Sequence, residues 1–317
     1  MKTRLQSLFL ATAACVATAF VATAANAAIL VNDSFNLGIS NGATLDGVPV
    51  NDTGFTGNYS VSQSNVHTGS SGSAAYTSSG LSFGPNFHAV AGGAGVITAT
   101  AGGSNGLPIT ETLSANINAS PTGTVYGSYL FNVNGGIGSN DNGYTSVVSS
   151  QGSLVTTLNS FSSYQNAVGI GYGGSTAGTY FTPTVGTTYL ALWKFTNVGT
   201  ALSAGNPGDA NLWIMTQTGY DTWSAAGANE AQLAANSVAT ATASATTGTY
   251  NLNGAFNMNV NAGNYASNSI GLTLDQLSVG TSLADVTSGA AVPEPATLAL
   301  LGVGGLGLLL IKRRRTE

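Results

Sequence analysis

Ile270-Gly-Leu-Thr-Leu-Asp-Gln-Leu-Ser-Val279 is the stretch from which the fold is read. Ile270, Leu272 and Leu274 alternate with small or polar residues, so a period of two puts them on one face of a strand. Leu277 and Val279 continue the alternation on the opposite phase. Two readings of the switch at Asp275-Gln276 stay open. One is a β-bulge, which inserts an extra residue and bends the strand. The other is a strand buried on both sides, which needs no alternation at all.

Runs of the same kind lie on either side. Tyr250–Val260 places Leu252, Phe256, Met258 and Val260 on one face. Thr188–Thr196 carries Tyr189, Leu190, Leu192, Trp193 and Phe195, enough to cover both faces. Asn211–Gln217 carries Leu212, Trp213, Ile214 and Met215, and Val125–Val133 is rich in aromatic and β-branched residues. Ile29–Phe35, Asn58–Gln63, Phe87–Val90, Ile109–Asn118, Tyr144–Ser149 and Tyr164–Gly171 complete the set of expected strands. Asn41-Gly42, Asp46-Gly47, Asn105-Gly106, Asn142-Gly143 and Asn253-Gly254 are hairpin-type dipeptides, the last also readable as a bulge. Ala225–Thr247 differs: it is rich in alanine, with a short helix expected around Asn229–Asn236 and a loop after it. Many short strands separated by polar turns predict one all-β domain, an antiparallel β-sandwich spanning residues 28–290.

Charge narrows the function. Between Ala28 and Val292 the only basic residue is Lys194, against ten acidic ones, for a net charge near −9. A nucleic-acid partner, which needs a basic surface to neutralise phosphates, is excluded.

Both ends carry targeting signals. Lys2 and Arg4, the apolar run Leu5–Val21 and the small residues Ala25-Asn26-Ala27 form a secretory signal peptide over residues 1–27, to be cut by signal peptidase before Ala28. The only cysteine, Cys15, is removed with it. A lipoprotein reading of Cys15 is disfavoured by Thr12 and by the short apolar run before it. The mature chain therefore has no thiol chemistry and no disulfide. At the other end, Pro293-Glu294-Pro295 precedes an uncharged span over residues 296–311 and the basic run Lys312-Arg313-Arg314-Arg315. A helix of that length covers roughly 24 Å, somewhat less than the ~30 Å hydrocarbon core. The basic run snorkels and holds the C-terminus in the cytoplasm.

Residues 291–317 resemble the PEP-CTERM sorting signal of bacterial envelope and extracellular proteins. The resemblance implies an inner-membrane-anchored precursor whose Pro293, Glu294 and Pro295 are recognised by an exosortase, an integral-membrane processing protease. A second resemblance runs through Leu272-Thr-Leu-Asp275 and Gly280-Thr-Ser-Leu-Ala-Asp285, which look like the closing strand of concanavalin-like and laminin-G-like domains. In it Tyr189–Asn197 and Ala210–Thr216 resemble the two central strands and Ile29–Phe35 the first. The implied fold is a jelly-roll sandwich.

Motifs for chemistry are sparse. Glu111 and Glu230 are the glutamates of the exported region, and neither has a carboxylate two or four positions away, as a strand-borne glycosidase pair would. His67 and His88 fit no nucleophile elbow and no local zinc motif. No catalytic residue, metal site or cofactor is assigned. The concanavalin-like resemblance implies calcium as the one candidate cofactor, on oxygen-rich Asn140-Asp141-Asn142 or Asp209/Asn211, although both read more simply as turns. A glycan platform is conceivable at Tyr220, Asp221 and Trp223; the competing reading packs Tyr220–Trp223 on the sandwich. Three functions are in play: a non-catalytic surface or matrix protein associated with exopolysaccharide or biofilm, a lectin-like carbohydrate-binding module, and a glycoside hydrolase. An exposed aromatic cluster would favour the second, and a cleft with paired carboxylates the third.

Overall fold

The computed structural model describes residues 29–287, apart from residues 51, 65, 67–68, 86, 88–91, 101–108, 119, 135–143, 148–153, 162–164, 174, 253 and 263–268. Residues Ala28–Gly289 form one compact unit. Its strands are β1 (Ile29–Asp33), β2 (Phe55–Ser64), β3 (Ser71–Thr77), β4 (Ala94–Thr100), β5 (Ile109–Ile117), β6 (Gly123–Val133), β7 (Tyr144–Val147), β8 (Leu154–Phe161), β9 (Gln165–Tyr172), β10 (Ser175–Tyr180), β11 (Thr188–Val198), β12 (Gly208–Met215), β13 (Ala239–Ala245), β14 (Gly254–Ala262) and β15 (Ser269–Gly280). They form two sheets. The first runs β13-β12-β11-β6-β15-β4-β3, with β1 also paired to β15; the second runs β10-β9-β8-β7-β14-β5-β2. Every strand pairing described is antiparallel. The fold is the expected all-β sandwich, with the first strand against the last.

Both readings of β15 hold at once. Its register against β6 breaks between Asp275 and Ser278, and Gln276 sits in the left-handed region at φ 55°. That bulge returns Leu277 and Val279 to the inner face, so they join Leu272 and Leu274 in the main core. Residues 271–280 are nonetheless all buried. Asp285 closes the turn after β15, accepting from the backbone N–H of Thr281 (3.0 Å) and Ser282 (2.8 Å).

Burial on both sides has a cause. The inner face of β11 gives Tyr189, Ala191, Trp193 and Phe195 to the main core. Its outer face gives Leu190 and Leu192 to a second apolar cluster, with Leu130 of β6 and Trp213 and Met215 of β12. That cluster is roofed by helix α1 (Gln217–Ala225), by helix α2 (Leu283–Thr287), and by Phe83 and Phe87 from the segment between β3 and β4. Trp193 lies flat over Gly127 of β6, where an added Cβ would come within 1.8 Å of the indole ring.

The segment 41–50 seals one rim of the sandwich. Gly42 and Leu45 donate to the carbonyls of Tyr76 and Ala74 on edge strand β3, and Gly47 and Val50 donate to those of Tyr59 and Gly57 on edge strand β2. One short piece of chain thus crosses from one sheet to the other and satisfies both exposed edges. Its turns fall at Asn41-Gly42 and Asp46-Gly47, as expected, with both glycines at positive φ.

Other expectations need correction. Strands β3, β4, β10 and β13 were not foreseen, because Ser, Thr, Gly and Ala dominate them, and β8 was missed although its sequence carries Leu154, Val155, Leu158 and Phe161. The expected loop after residue 236 is β13, an edge strand that pairs with β12. The helix expected around Asn229–Asn236 is two short 3₁₀ turns, Glu230–Gln232 and Ala234–Asn236. Phe87 is in a bend, not a strand, and residues 88–90 lie outside the described residues, as do Asn105-Gly106 and Asn142-Gly143. Gly254 opens β14, while Asn253 is not described. Among the described residues no helix is long and apolar enough to cross a membrane. The expected signal peptide 1–27 and span 296–311 lie outside them.

Candidate functional site

Of the two readings of Tyr220, Asp221 and Trp223, the structure shows packing on the sandwich and no glycan platform. Thr216 caps α1 by accepting from Gly219 N–H (3.2 Å), and the helix turns Tyr220 and Trp223 onto the outer face of the first sheet. Tyr220 is 3% exposed and Trp223 is 1% exposed. The Tyr220 hydroxyl donates to the Thr287 carbonyl (2.7 Å), and the Trp223 indole N–H donates to the Asn229 carbonyl (2.8 Å). Phe83 and Phe87 meet the Tyr220 ring edge-on at 5.8 and 5.5 Å. Rings sealed in this way have no face to offer a sugar, and Asp221 between them is half-buried on the same helix. The expected turn at Asp209/Asn211 is also corrected: both residues lie in β12, paired with β11 and β13. Ala25, Ala27, Ala28, Pro293, Glu294, Pro295, His67, His88 and Asn140-Asp141-Asn142 lie outside the described residues.

Glu230 has a structural task. The Lys194 ammonium donates to it at 2.6 Å, the Tyr126 hydroxyl donates at 2.7 Å, and Lys194 sits 5.5 Å from the Tyr126 ring centre. Burial pushes the Glu230 carboxyl up, but these hydrogen bonds and the lysine charge outweigh it and hold the group below its usual value. The trio ties the first 3₁₀ turn to β6 and β11.

Glu111 is different. It sits on the inward phase of β5 with Ile109, Leu113, Ala115 and Ile117, and its exposure is 0%. Neither carboxylate oxygen has a hydrogen-bond partner. Gln63, directly opposite on β2, donates its side-chain amide to the Gly72 carbonyl of β3 (2.9 Å) and so spans the gap between the sheets. A Cβ on Gly72 would come within 2.3 Å of Glu111 Oε2, so glycine at that position keeps the space the carboxylate fills. Burial pushes the Glu111 carboxyl up, and the neighbouring Gln63 amide, whose hydrogen bond goes to the Gly72 carbonyl, offsets only part of this. The group faces a rim cavity of about 470 Å³ whose walls include Thr44, Asp46, Gln63 and Ser73. Asp46, near the mouth, accepts from Val61 N–H (3.0 Å). Sequence reasoning passed over Glu111 because it has no carboxylate neighbour; the available signal was a charge on the apolar phase of a strand.

Two further carboxyls are buried beside the β1–β15 pair. Asp33 accepts from Phe35 N–H (2.9 Å) and from the Tyr59 hydroxyl. Burial raises it to about 7 against those two hydrogen bonds, with the Asp52 charge adding to the rise. Asp275 accepts from Leu81 N–H and Gln276 N–H, both at 2.7 Å. Burial raises it also to about 7 against these bonds, and the Asp33 charge adds to the rise. Among the described residues no three His, Cys, Asp or Glu side chains come together as a metal cluster.

Residues 291–315 match the PEP-CTERM protein-sorting motif. No curated protein matches the chain. Among solved structures, the chain is similar to an endo-β-1,4-glucuronan lyase from the fungus Trichoderma reesei, at 10% identity and a TM-score of 0.40 over 81% of this chain and 100% of that one. It is similar to the Emp47p carbohydrate recognition domain, at 10% identity and 0.41 over 81% and 98%. Lectin II from Ulex europaeus matches at 9% identity and 0.34 over 60% and 88%. Likeness this distant carries no argument about activity, and the sandwich rests on its own strand order.

Proposed function

We propose that the chain is an exported, non-catalytic protein of the cell surface or extracellular matrix, associated there with exopolysaccharide in a biofilm. The observation that carries this reading is the sorting-motif match over residues 291–315. On it, the chain enters the secretion machinery by residues 1–27 and loses them before Ala28. It then rests in the inner membrane by 296–311 with Lys312–Arg315 in the cytoplasm, and is released by an exosortase-type protease that reads Pro293-Glu294-Pro295. The non-catalytic part draws support from both glutamates. Glu230 is tied to Lys194 and Tyr126, and Glu111, although it shares a cleft with Asp46, is buried on the inward phase of β5. A glycosidase needs both carboxyls within reach of the scissile bond. Replacing Pro293-Glu294-Pro295 with three alanines is expected to leave export intact and to hold the protein in the inner-membrane fraction. Fractionation that finds normal release would overturn the sorting reading.

A second reading, weak carbohydrate binding, is favoured by one observation. Tyr180, at the end of edge strand β10, is 62% exposed. An open aromatic face on a domain poor in charge suits a neutral or cationic polysaccharide better than an acidic one, which a net charge near −9 repels. Tyr180→Ala should weaken retention in matrix, while its stability stays within about 0.5 kcal/mol of the parent. Retention equal to that of the parent removes Tyr180 as a contact.

A further inference from the structure

The buried aspartates of this sandwich have their donors. Asp33 has Phe35 and Tyr59, Asp275 has Leu81 and Gln276, and Asp285 has Thr281 and Ser282. Glu111 has none, at zero exposure. A polar group taken out of water without a partner carries its full desolvation penalty, and a charged one carries more. Among the described residues there is no counter-charge to give it, because Lys194 is the one lysine or arginine between Ala28 and Val292 and is bound to Glu230. A cation entering from solution, through the cavity that Glu111 lines, would supply that compensation.

The lining of that cavity says what kind of ion fits. The side chains that can reach in with donor atoms are the carboxylates of Glu111 and Asp46, the amide of Gln63, and the hydroxyls of Thr44 and Ser73. Apart from the Gln63 amide nitrogen, which is committed to Gly72, these donors are all oxygen, with no imidazole or thiol among them. An all-oxygen set selects a hard cation over zinc or copper. Two carboxylates match a divalent charge. An irregular wall of side chains at the junction of two sheets suits calcium, which takes six to eight oxygens in loose geometry, better than magnesium, which requires a near-regular octahedron.

We propose that the rim cleft between β2, β3, β5 and the 41–50 segment is a calcium-type divalent cation site, with Glu111 and Asp46 as its charged ligands and the Gln63 amide oxygen, wall hydroxyls and water as its neutral ones. Gly72 is part of the site, since any side chain there would take the space of the Glu111 carboxylate. With two carboxylates the affinity falls in the ~0.1–1 mM class of extracellular calcium modules. The bound ion would also join the two sheets at the rim that the 41–50 segment closes. The proposal stands apart from the sorting reading, since it concerns only residues of the Ala28–Gly289 unit.

The test is a melting curve of the full chain in detergent, with and without CaCl₂ at about 5 mM, several times the expected Kd. Sodium chloride at matched ionic strength serves as the control. Calcium should raise the midpoint of the parent by several degrees and sodium should not. Glu111→Gln keeps the shape and removes the charge; it should melt higher than the parent in the absence of calcium and lose the calcium response. Asp46→Asn, at an exposed position, should fold normally and raise the calcium Kd at least tenfold. No calcium shift in the parent, an equal shift with sodium, or an undiminished calcium response in Glu111→Gln would overturn the site. Should Glu111→Gln fail to fold, Asp46→Asn decides alone: a Kd raised tenfold supports the site and an unchanged Kd refutes it.

Discussion

Trp223→Ala is expected to melt well below the parent, with a loss of about 3–5 kcal/mol of folding free energy. The indole is 1% exposed and belongs, with Tyr220 and Leu233, to the cluster on the outer face of the first sheet. Removing it opens a void the size of two rings, and it also orphans the Asn229 carbonyl that the indole N–H now bonds. Asn229 caps the first 3₁₀ turn through Ala231 N–H (2.9 Å), and Glu230 next to it holds Lys194. Damage should therefore spread along this roof before it reaches the main core, which draws on other residues. Chemical denaturation of parent and variant measures the loss. A Trp223→Ala protein as stable as the parent would mean that the roof is not packed as described.

The second large effect is on pH. Asp33 and Asp275 titrate near the usual 3.8 when the chain is unfolded and at about 7 in the folded domain. Between those values the folded state holds protons that the unfolded state has released. Stability is thus fully present below pH ~4 as far as these groups are concerned, and is lost as pH rises towards ~7. Each proton contributes a slope of about 1.4 kcal/mol per pH unit, so two act strongly within that window. The midpoint of thermal unfolding should fall steadily from pH 5 to pH 7.5. Asp33→Asn, which removes one titration and keeps an acceptor for Tyr59, should flatten the curve. A melting temperature that rises over that range would contradict the assignment of both carboxyls.

The class of the fold was legible because the inner-face residues are large. β6, β11, β12 and β15 announce themselves through Tyr, Trp, Phe, Leu and Val, and these strands build the first sheet. Among the strands missed, β3 and β13 turn mostly small residues inward. Gly72 and Ala74 on β3 are small because Glu111 and the opposite sheet come close there, and β13 alternates Ala239, Ala241 and Ala243 against the core. A strand made of alanine, serine and threonine has the composition of a loop, and its pairing partners decide otherwise. The aromatic pair on α1 stayed open between two readings for a related reason. Tyr220 and Trp223 are three residues apart, a spacing that in a helix shares one face and in a loop means nothing. Sequence cannot show that an outer sheet face awaits that helix. Glu111 was hidden because its neighbourhood is assembled from β2, β3 and the 41–50 segment, about forty residues and more away in the chain.

Lys194 has a consequence outside folding. Proteases of the trypsin type cut after lysine or arginine, and between Ala28 and Val292 they find a single bond to attack. That bond lies in the middle of β11, where Lys194 is flanked by Tyr126 on one side and Asn211 on the other, with both neighbouring strands hydrogen-bonded in place. Cleavage would require peeling a central strand out of the sheet, an opening close to global unfolding. A domain with one basic residue, placed there, withstands a whole class of enzymes that other organisms secrete, and it does so with neither a disulfide nor an inhibitor.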